Sequence, residues 1–317
     1  MDMEIFLEKL CTAVGKEAVK TDEPMSKHTT FRVGGPADFF VSPKDEEGLV
    51  SAVSLCRSSG MPFYILGNGS NLLVSEDGYR GVMIETEKAL NYVKERDGLI
   101  EAGAGILLSA LAREALRMSL TGLESASGIP GTLGGAVVMN AGAYGFEMKD
   151  VLVSARVLSR DGEIKELPAE ELDLGYRHSV IMDEGYIVLS ACIRLHKGEH
   201  GAILDRMEEL AAQRRKKQPL EYPSAGSTFK RPEGYFAGKL IQDSGLRGFQ
   251  VGGAQVSEKH CGFVINRGQA TADDVMELCR QVQKRVYEQF GVKMEMEVRR
   301  LGEFPDTEQE EVYQGGQ

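Results

Sequence analysis

The sequence has no tryptophan, which excludes nothing, but its other absences exclude whole classes of function. The five cysteines, Cys11, Cys56, Cys192, Cys261 and Cys279, stand far apart without a C-x-x-C pair. They suit a reducing cytosol and offer no zinc framework. His196 and His200 have metal-ligand spacing, but Gly198 lies between them and no third ligand is evident, so no metal is expected. Basic excess is missing too: the net charge of −11 argues against a general nucleic-acid binder, which needs a broad cationic surface. No apolar run approaches the ~18–20 residues of a membrane helix. The first residues, M-D-M-E-I-F-L-E-K-L, are acidic and amphipathic, unlike a signal peptide, and a cytoplasmic protein is expected. Nucleotide fingerprints are also lacking. There is no Walker A sequence, and Gly67-x-Gly69 and Gly103-x-Gly105 meet Leu72 and Leu108 where a dinucleotide motif needs its third glycine.

What is present is glycine in concentrated form. The stretch S-G-I-P-G-T-L-G-G-A-V-V-M-N-A-G-A-Y-G, Ser127 to Gly145, holds six glycines. A helix or strand interior disfavours each by ~0.5–1 kcal/mol relative to alanine. Such a run instead lets backbone N–H groups approach a ligand with no Cβ in the way, as phosphate-cradling loops do. Upstream, F-Y-I-L-G-N-G-S-N-L-L-V, Phe63 to Val74, has the same character and parses as strand, hairpin-like polar loop, strand.

Hydrophobic periodicity places the rest. A helix is expected over 3–15 with Ile5, Phe6, Leu10 and Val14 on one face, then a polar loop to Lys27. Further helices are expected over 45–59, 106–118, 202–217, 236–243 and 272–290, and strands over 39–41, 62–66, 151–159, 163–167, 186–195, 262–265 and 293–301. Short apolar runs between Gly81 and Ala102 read as a meander, and Asp161-Gly162 as a hairpin turn. The alternation is α/β in character at the start of the chain. A composition shift at 197–201 marks a boundary, giving a lead-in over 1–28, a first large domain over 29–197, a C-terminal domain over 198–303 and an acidic tail over 304–317.

Three short motifs concentrate reactive groups. In A-G-S-T-F-K-R-P, Ser227 lies close to Lys230 and Arg231, so a hydroxyl proton donor would stand beside cations; a surface loop with local hydroxyl hydrogen bonds explains the same residues. In L-G-Y-R-H-S, Arg177 offers a planar fork that fits a carboxylate or phosphate, or a structural ion pair. In M-E-M-E-V-R-R-L-G, strand alternation puts Glu295, Glu297 and Arg299 on one face and Met294, Met296 and Val298 on the other; a solvated strand face is the plain alternative. The run Arg214 to Lys217 could meet a diphosphate, although cations at a helix end are expected from its dipole alone.

The ordered set T-T-F-R-V-G-G-P-A, L-G-N-G-S-N-L-L-V, G-I-P-G-T-L-G-G-A-V-V-M-N-A-G-A-Y-G, Y-R-H-S, A-G-S-T-F-K-R-P and E-V-R-R-L-G resembles the UDP-N-acetylenolpyruvoylglucosamine reductase family over residues 25–303. The resemblance implies an α+β architecture: a two-subdomain FAD-binding fold of the vanillyl-alcohol-oxidase (PCMH) type plus a C-terminal α+β substrate-binding domain. It implies a flavin-dependent oxidoreductase of peptidoglycan precursor synthesis, with non-covalent FAD, NADPH as reductant and UDP-N-acetylglucosamine enolpyruvate as substrate. Hydride would pass from flavin N5 to C3 of the enolpyruvyl group. On the matching positions, Ser227 would give the proton to C2, and Arg177 and Glu297 would stabilise the enolic charge. FAD would be held by Asn68, Gly69, Ser70, Asn71, Leu72, Gly128, Ile129, Pro130, Gly131, Thr132, Gly134, Gly135, Asn140, Ala141 and Gly142. Tyr176, Lys217, Lys230 and Arg299 would bind substrate. The short passage from Leu195 to Leu204 implies the form without an extra tyrosine-bearing loop, and a monomer or weak dimer is expected.

Overall fold

A computed structural model describes residues 2–96 and 98–304. Its architecture is α+β, with two larger sheets, a small third sheet and helices packed against each.

The first sheet runs in the order Val19–Pro24, Pro36–Val41, Tyr79–Glu85, Phe63–Leu66. Its outer pair is antiparallel and the remaining pairs are parallel. Parallel strands need helical crossovers, and Glu46–Ser59 supplies one. Asp45 caps that helix by accepting from the Gly48 N–H at 2.9 Å, and Gly60 ends it in the left-handed conformation. Met3–Val14 packs beside it through Phe6, Leu10 and Val14.

The second sheet is antiparallel throughout, ordered Ile164–Pro168, Leu152–Leu158, Ile187–Ile193, Leu99–Gly103, Val93–Arg96. Leu108–Arg117 and Leu133–Val138 contribute their apolar faces to one core that is continuous with the first sheet and its helices.

In the C-terminal part Ala272–Phe290 packs on the strands Gln250–Val251 and Ala254–Val256, the latter paired with Val264–Asn266, and Ala237–Asp243 packs against that long helix. The long helix has a capping box at Thr271 and Asp274, a left-handed Gly291 at its end, and buries Val275, Cys279, Val282 and Val286 at helical spacing. Phe31, Val33 and Leu73 reach into this core from the N-terminal half. The final strand, Arg299–Leu301, pairs in parallel with Leu72–Val74, which brings the end of the C-terminal part back to the first glycine loop.

Several expectations need correction. Ile5 is half exposed rather than part of the buried face. Residues 16–27 are not a loop: Val19–Pro24 is an edge strand, polar because only one of its sides is paired. The apolar runs of 81–102 do not form one meander, since Tyr79–Glu85 belongs to the first sheet and the following hairpin to the second. Leu72–Val74 is not the return strand of a hairpin with Phe63–Leu66; its partner comes from the other end of the chain. Two of the run's glycines, Gly134 and Gly135, lie inside the short helix Leu133–Val138. The strand expected over 293–301 is regular only at Arg299–Leu301, and residues 305–317 of the expected tail lie outside the described residues.

Candidate active site

A cavity of about 980 Å³ lies where these parts meet, walled by both glycine loops, the Ser227 loop, the final strand and the helix His200–Lys217. The first loop follows the fully buried strand Phe63–Leu66. Gly69 has φ +58, and a Cβ there would overlap the His28 carbonyl, so both conformation and space demand glycine. The two loops touch: Asn68 Nδ2 donates to the Pro130 carbonyl at 2.6 Å, and a Cβ on Gly67 would stand 2.5 Å from Thr132 Oγ1. Among the described residues, the backbone N–H groups of Gly69, Ser70, Asn71, Gly131 and Thr132 find no acceptor within the protein.

The reactive groups line the same cavity. Glu297 N–H donates to the Thr228 carbonyl at 2.8 Å, and Lys230 N–H to the Glu295 carbonyl at 2.9 Å, which fastens the Ser227 loop alongside the last segment. Ala225 and Thr228 point into the interior, where Thr228 Oγ1 accepts from the Val264 N–H at 2.9 Å, leaving Ser227 exposed between them on the wall. Met294 and Val298 are buried in the C-terminal core, so the intervening Glu297 and the following Arg299 face the cavity, as strand alternation required. Arg177 Nε donates to Glu297 Oε1 at 2.6 Å. Asn71 closes the ring by donating through Nδ2 to the Glu297 carbonyl at 3.1 Å.

Burial pushes the Glu297 carboxyl above its ordinary range, and the Arg177 guanidinium opposes that shift only in part. A carboxyl in this setting can hold or release a proton near a cation, which suits it to an anion-forming reaction.

Of the residues singled out from the sequence, 68–72, 128–132, Gly135, Ala141, Gly142, Arg177, Ser227, Glu297 and Arg299 lie on the wall. Gly134 and Asn140 are buried off it. Asn140 instead donates to the Gly175 carbonyl at 3.0 Å and accepts from the Lys149 N–H at 3.0 Å. Tyr176, Lys217 and Lys230 are exposed and also off it. The Tyr176 hydroxyl accepts from the Arg231 N–H at 3.1 Å, and Lys230 pairs with Glu295 at 3.1 Å. Sequence reasoning raised the run Arg214 to Lys217 as a possible diphosphate contact but carried only Lys217 forward. Ala211, Arg214, Arg215 and Gln218 share one face of the helix and line the cavity, a spacing visible in the sequence that excludes Lys217.

Comparison with known proteins supplies the family. The family model of the UDP-N-acetylenolpyruvoylglucosamine reductase C-terminal domain matches residues 218–301, and that of an FAD binding domain matches residues 37–168. A UDP-N-acetylenolpyruvoylglucosamine reductase from Agathobacter rectalis is 53% identical over 313 residues, spanning 95% of this chain and 99% of its own length. The chain belongs to the UDP-N-acetylenolpyruvoylglucosamine reductase family. The same-named protein of Clostridium perfringens is 53% identical over 297 residues, 94% of this chain and 97% of its own. A crystal structure of the reductase from Thermus caldophilus is 38% identical and superposes with a TM-score of 0.77, covering 90% of this chain and 99% of that one.

The family is one of flavin-dependent oxidoreductases, and the residues present fit FAD. The glycine loops offer unpartnered N–H groups to a diphosphate, and Arg214 supplies a waiting cation. Its Nη1 is buried with no hydrogen-bond partner among the described residues, packed against Gly128 where a Cβ would collide with it. Burial pushes the Arg214 pKa down, as expected of a guanidinium that lacks a nearby carboxylate. An anionic cofactor satisfies both features at once.

Proposed function

We propose that this chain reduces UDP-N-acetylglucosamine enolpyruvate to UDP-N-acetylmuramate with NADPH as reductant. The observation that carries the reading is the Arg177–Glu297 pair lining, together with Ser227, the same cavity as the two glycine loops. Bound there, FAD would supply the hydride chemistry that links NADPH to C3 of the enolpyruvyl group.

The protein's share is charge placement and proton delivery. Hydride addition to an alkene conjugated with a carboxylate piles negative charge on the carboxylate oxygens. Arg177 is already held in place, so its guanidinium meets that charge without reorganising, and Glu297 shares the task from a buried position. Ser227, exposed on the same wall, gives its proton to C2. A hydroxyl is a weak acid, but the enolic carbon it faces is strongly basic, and alignment supplies the remainder. Gly131, Thr132 and residues 68–72 are the proposed diphosphate cradle, with Gly128, Gly135, Ala141 and Gly142 beside the rest of the cofactor.

Arg299 is the proposed substrate contact on the wall. Tyr176 and Lys217 each adjoin a wall residue in sequence, Lys230 lies three residues beyond Ser227, and all three would meet only those parts of the nucleotide that project beyond the cavity. We divide the chain into a lead-in over 1–28, whose helix and strand pack with the first sheet, a flavin domain over 29–197 and a substrate domain over 198–303, and assign the protein to the cytoplasm as a monomer or weak dimer. No helix among the described residues is long and apolar enough to cross a membrane.

The deciding experiment is a stopped-flow half-reaction. The flavin-loaded protein is reduced anaerobically with one equivalent of NADPH and mixed with the enolpyruvyl nucleotide. Rapid return of flavin absorbance supports the reading. Reduction without reoxidation would leave a flavoprotein with a different substrate, and failure to bind flavin at all would overturn the proposal.

A further inference from the structure

Arg177 occupies neither a helix nor a sheet. It sits in a tight turn closed by the Gly175 N–H donating to the His178 carbonyl at 3.2 Å, and its own backbone is left-handed, φ +56. A non-glycine residue keeps that conformation only where its surroundings over-determine it. The surroundings here are two buried side-chain hydrogen bonds, one on each flank. Two residues before Arg177, the Gly175 carbonyl accepts from Asn140 Nδ2 at 3.0 Å; two residues after it, Ser179 Oγ donates to the Val138 carbonyl at 2.6 Å.

Asn140 and Ser179 are both fully buried. The Asn140 amide is committed elsewhere as well: Oδ1 accepts from the Lys149 N–H at 3.0 Å, and Nδ2 also lies 3.4 Å from Glu147 Oε2. Its backbone is left-handed too, φ +41. Asn140 therefore has no amide group to offer the cavity, despite its place in the glycine-rich run. Val138 and Asn140 both belong to that run, whose earlier residues form the cavity wall. The segment that lines the cavity is thus bolted to both ends of the turn that carries the arginine.

We propose that Asn140 and Ser179 are positioning residues that hold the Arg177 guanidinium at Glu297 and at the substrate carboxylate. The inference rests on the reductase reading given above. Asn140 acts through the Gly175 carbonyl and Ser179 through the Val138 carbonyl, and neither touches the reacting atoms. Asparagine suits its position for two reasons: it tolerates the left-handed backbone, and it donates to one carbonyl while accepting from one N–H. Aspartate would keep the shape but turn a carboxylate toward the Gly175 carbonyl and the Glu147 carboxylate.

The test uses the flavin-loaded full chain and three variants. Asn140→Gly keeps the backbone conformation while deleting the amide, Asn140→Asp keeps the shape while deleting the donor, and Ser179→Ala releases the other flank. In each, FAD affinity and reduction by NADPH stay at the wild-type level, whereas reoxidation by the enolpyruvyl nucleotide slows by ~10- to 100-fold, the scale of a small misplacement of a reacting group. Adding Arg177→Lys to Asn140→Gly slows reoxidation by less than it does alone, because residues acting through one another are not additive. In the flavin-free protein the Glu297 carboxyl, followed by carboxylate NMR, titrates at a higher pH than in wild type once the guanidinium has retreated.

Wild-type reoxidation in Asn140→Gly and Asn140→Asp would overturn the inference. So would a uniform fall in flavin binding, reduction and reoxidation with additive effects, which marks a merely structural role. If Asn140→Gly does not fold, Ser179→Ala carries the same test from the other flank. A wild-type protein that is never reoxidised sinks the reductase reading instead, and the Glu297 titration then still decides whether the brace sets Arg177.

Discussion

Arg177 Nε and Glu297 Oε1 lie 2.6 Å apart, although 120 residues separate them in sequence, and both side chains are largely buried on the cavity wall. The fork of an arginine can engage Glu297 through one N–H and still present others to a second carboxylate. Lysine offers a point charge on a flexible stem and loses that double engagement. Arg177→Lys is expected to bind FAD and accept hydride from NADPH normally, while reoxidation by the enolpyruvyl nucleotide falls by ~10²-fold, the loss typical of one preorganised donor at a developing charge. Single-turnover absorbance traces check this; a wild-type trace would make the arginine purely structural.

Ser227 stands exposed between two residues that anchor its loop inward, Ala225 and Thr228. Removing its hydroxyl leaves those anchors intact, so Ser227→Ala should fold and load flavin like the parent. Loss of a positioned proton donor costs ~10²-fold or more in the step that needs it. The expected result is normal reduction by NADPH and slow reoxidation by substrate. Deuterated solvent offers a second reading: if Ser227 delivers the proton, the solvent isotope effect on reoxidation should change in the variant, and an identical effect counts against the role.

The raised pKa of Glu297 carries a signed consequence for stability. Because burial lifts the folded-state value above that of the unfolded chain, the folded protein holds the proton more tightly. Stability contributed by this group is present below the ordinary carboxylate value, declines as pH rises through the folded-state value, and is level beyond. Glutamine does not titrate. The stability difference between Glu297→Gln and wild type should therefore move in the variant's favour across that window. Urea midpoints over a pH series from the carboxylate range to neutrality measure it, and parallel curves would refute the shift.

Much of the site was legible in the sequence because its chemistry is local. Alternation along Met294 to Arg299 set Glu297 and Arg299 apart from Met294 and Val298, and that division holds. Density of glycine marked both loops, and both line the cavity. What escaped depends on contacts between distant segments. The pairing of Leu72–Val74 with Arg299–Leu301 joins segments more than two thirds of the chain apart, and no local pattern distinguishes it from a hairpin. Gly134 and Gly135 read as loop residues, yet Thr132 caps a short helix through them, and its apolar residues Val137 and Val138 are held by the core. Asn140 looked like one more ligand-facing amide, and only the arrival of Gly175 from another segment shows where that amide points. Arg214 was discounted as a helix-end cation; the face it shares with Ala211, Arg215 and Gln218 was the available signal.

Gly69 and Gly60 make a controlled pair for the first loop. Both have left-handed backbones, φ +58 and φ +66, so alanine at either site incurs the conformational cost of about 1–2 kcal/mol for an L-residue there. They differ in surroundings. Nothing lies within 4 Å of a Cβ on Gly60, whereas a Cβ on Gly69 would overlap the His28 carbonyl, a backbone atom that cannot swing aside. Gly60→Ala should lower the melting temperature of the flavin-free protein by a few degrees and leave FAD affinity unchanged. Gly69→Ala should lower it further, because the loop must shift to clear the carbonyl. That shift moves the N–H groups of Gly69, Ser70 and Asn71, so FAD affinity should drop by ~10-fold or more, about the 1.4 kcal/mol of one lost charge-assisted hydrogen bond. Flavin fluorescence titration and thermal melts of the two variants side by side decide the matter. Equal effects on flavin affinity would mean that backbone strain alone governs the loop and that its N–H groups do not hold the cofactor.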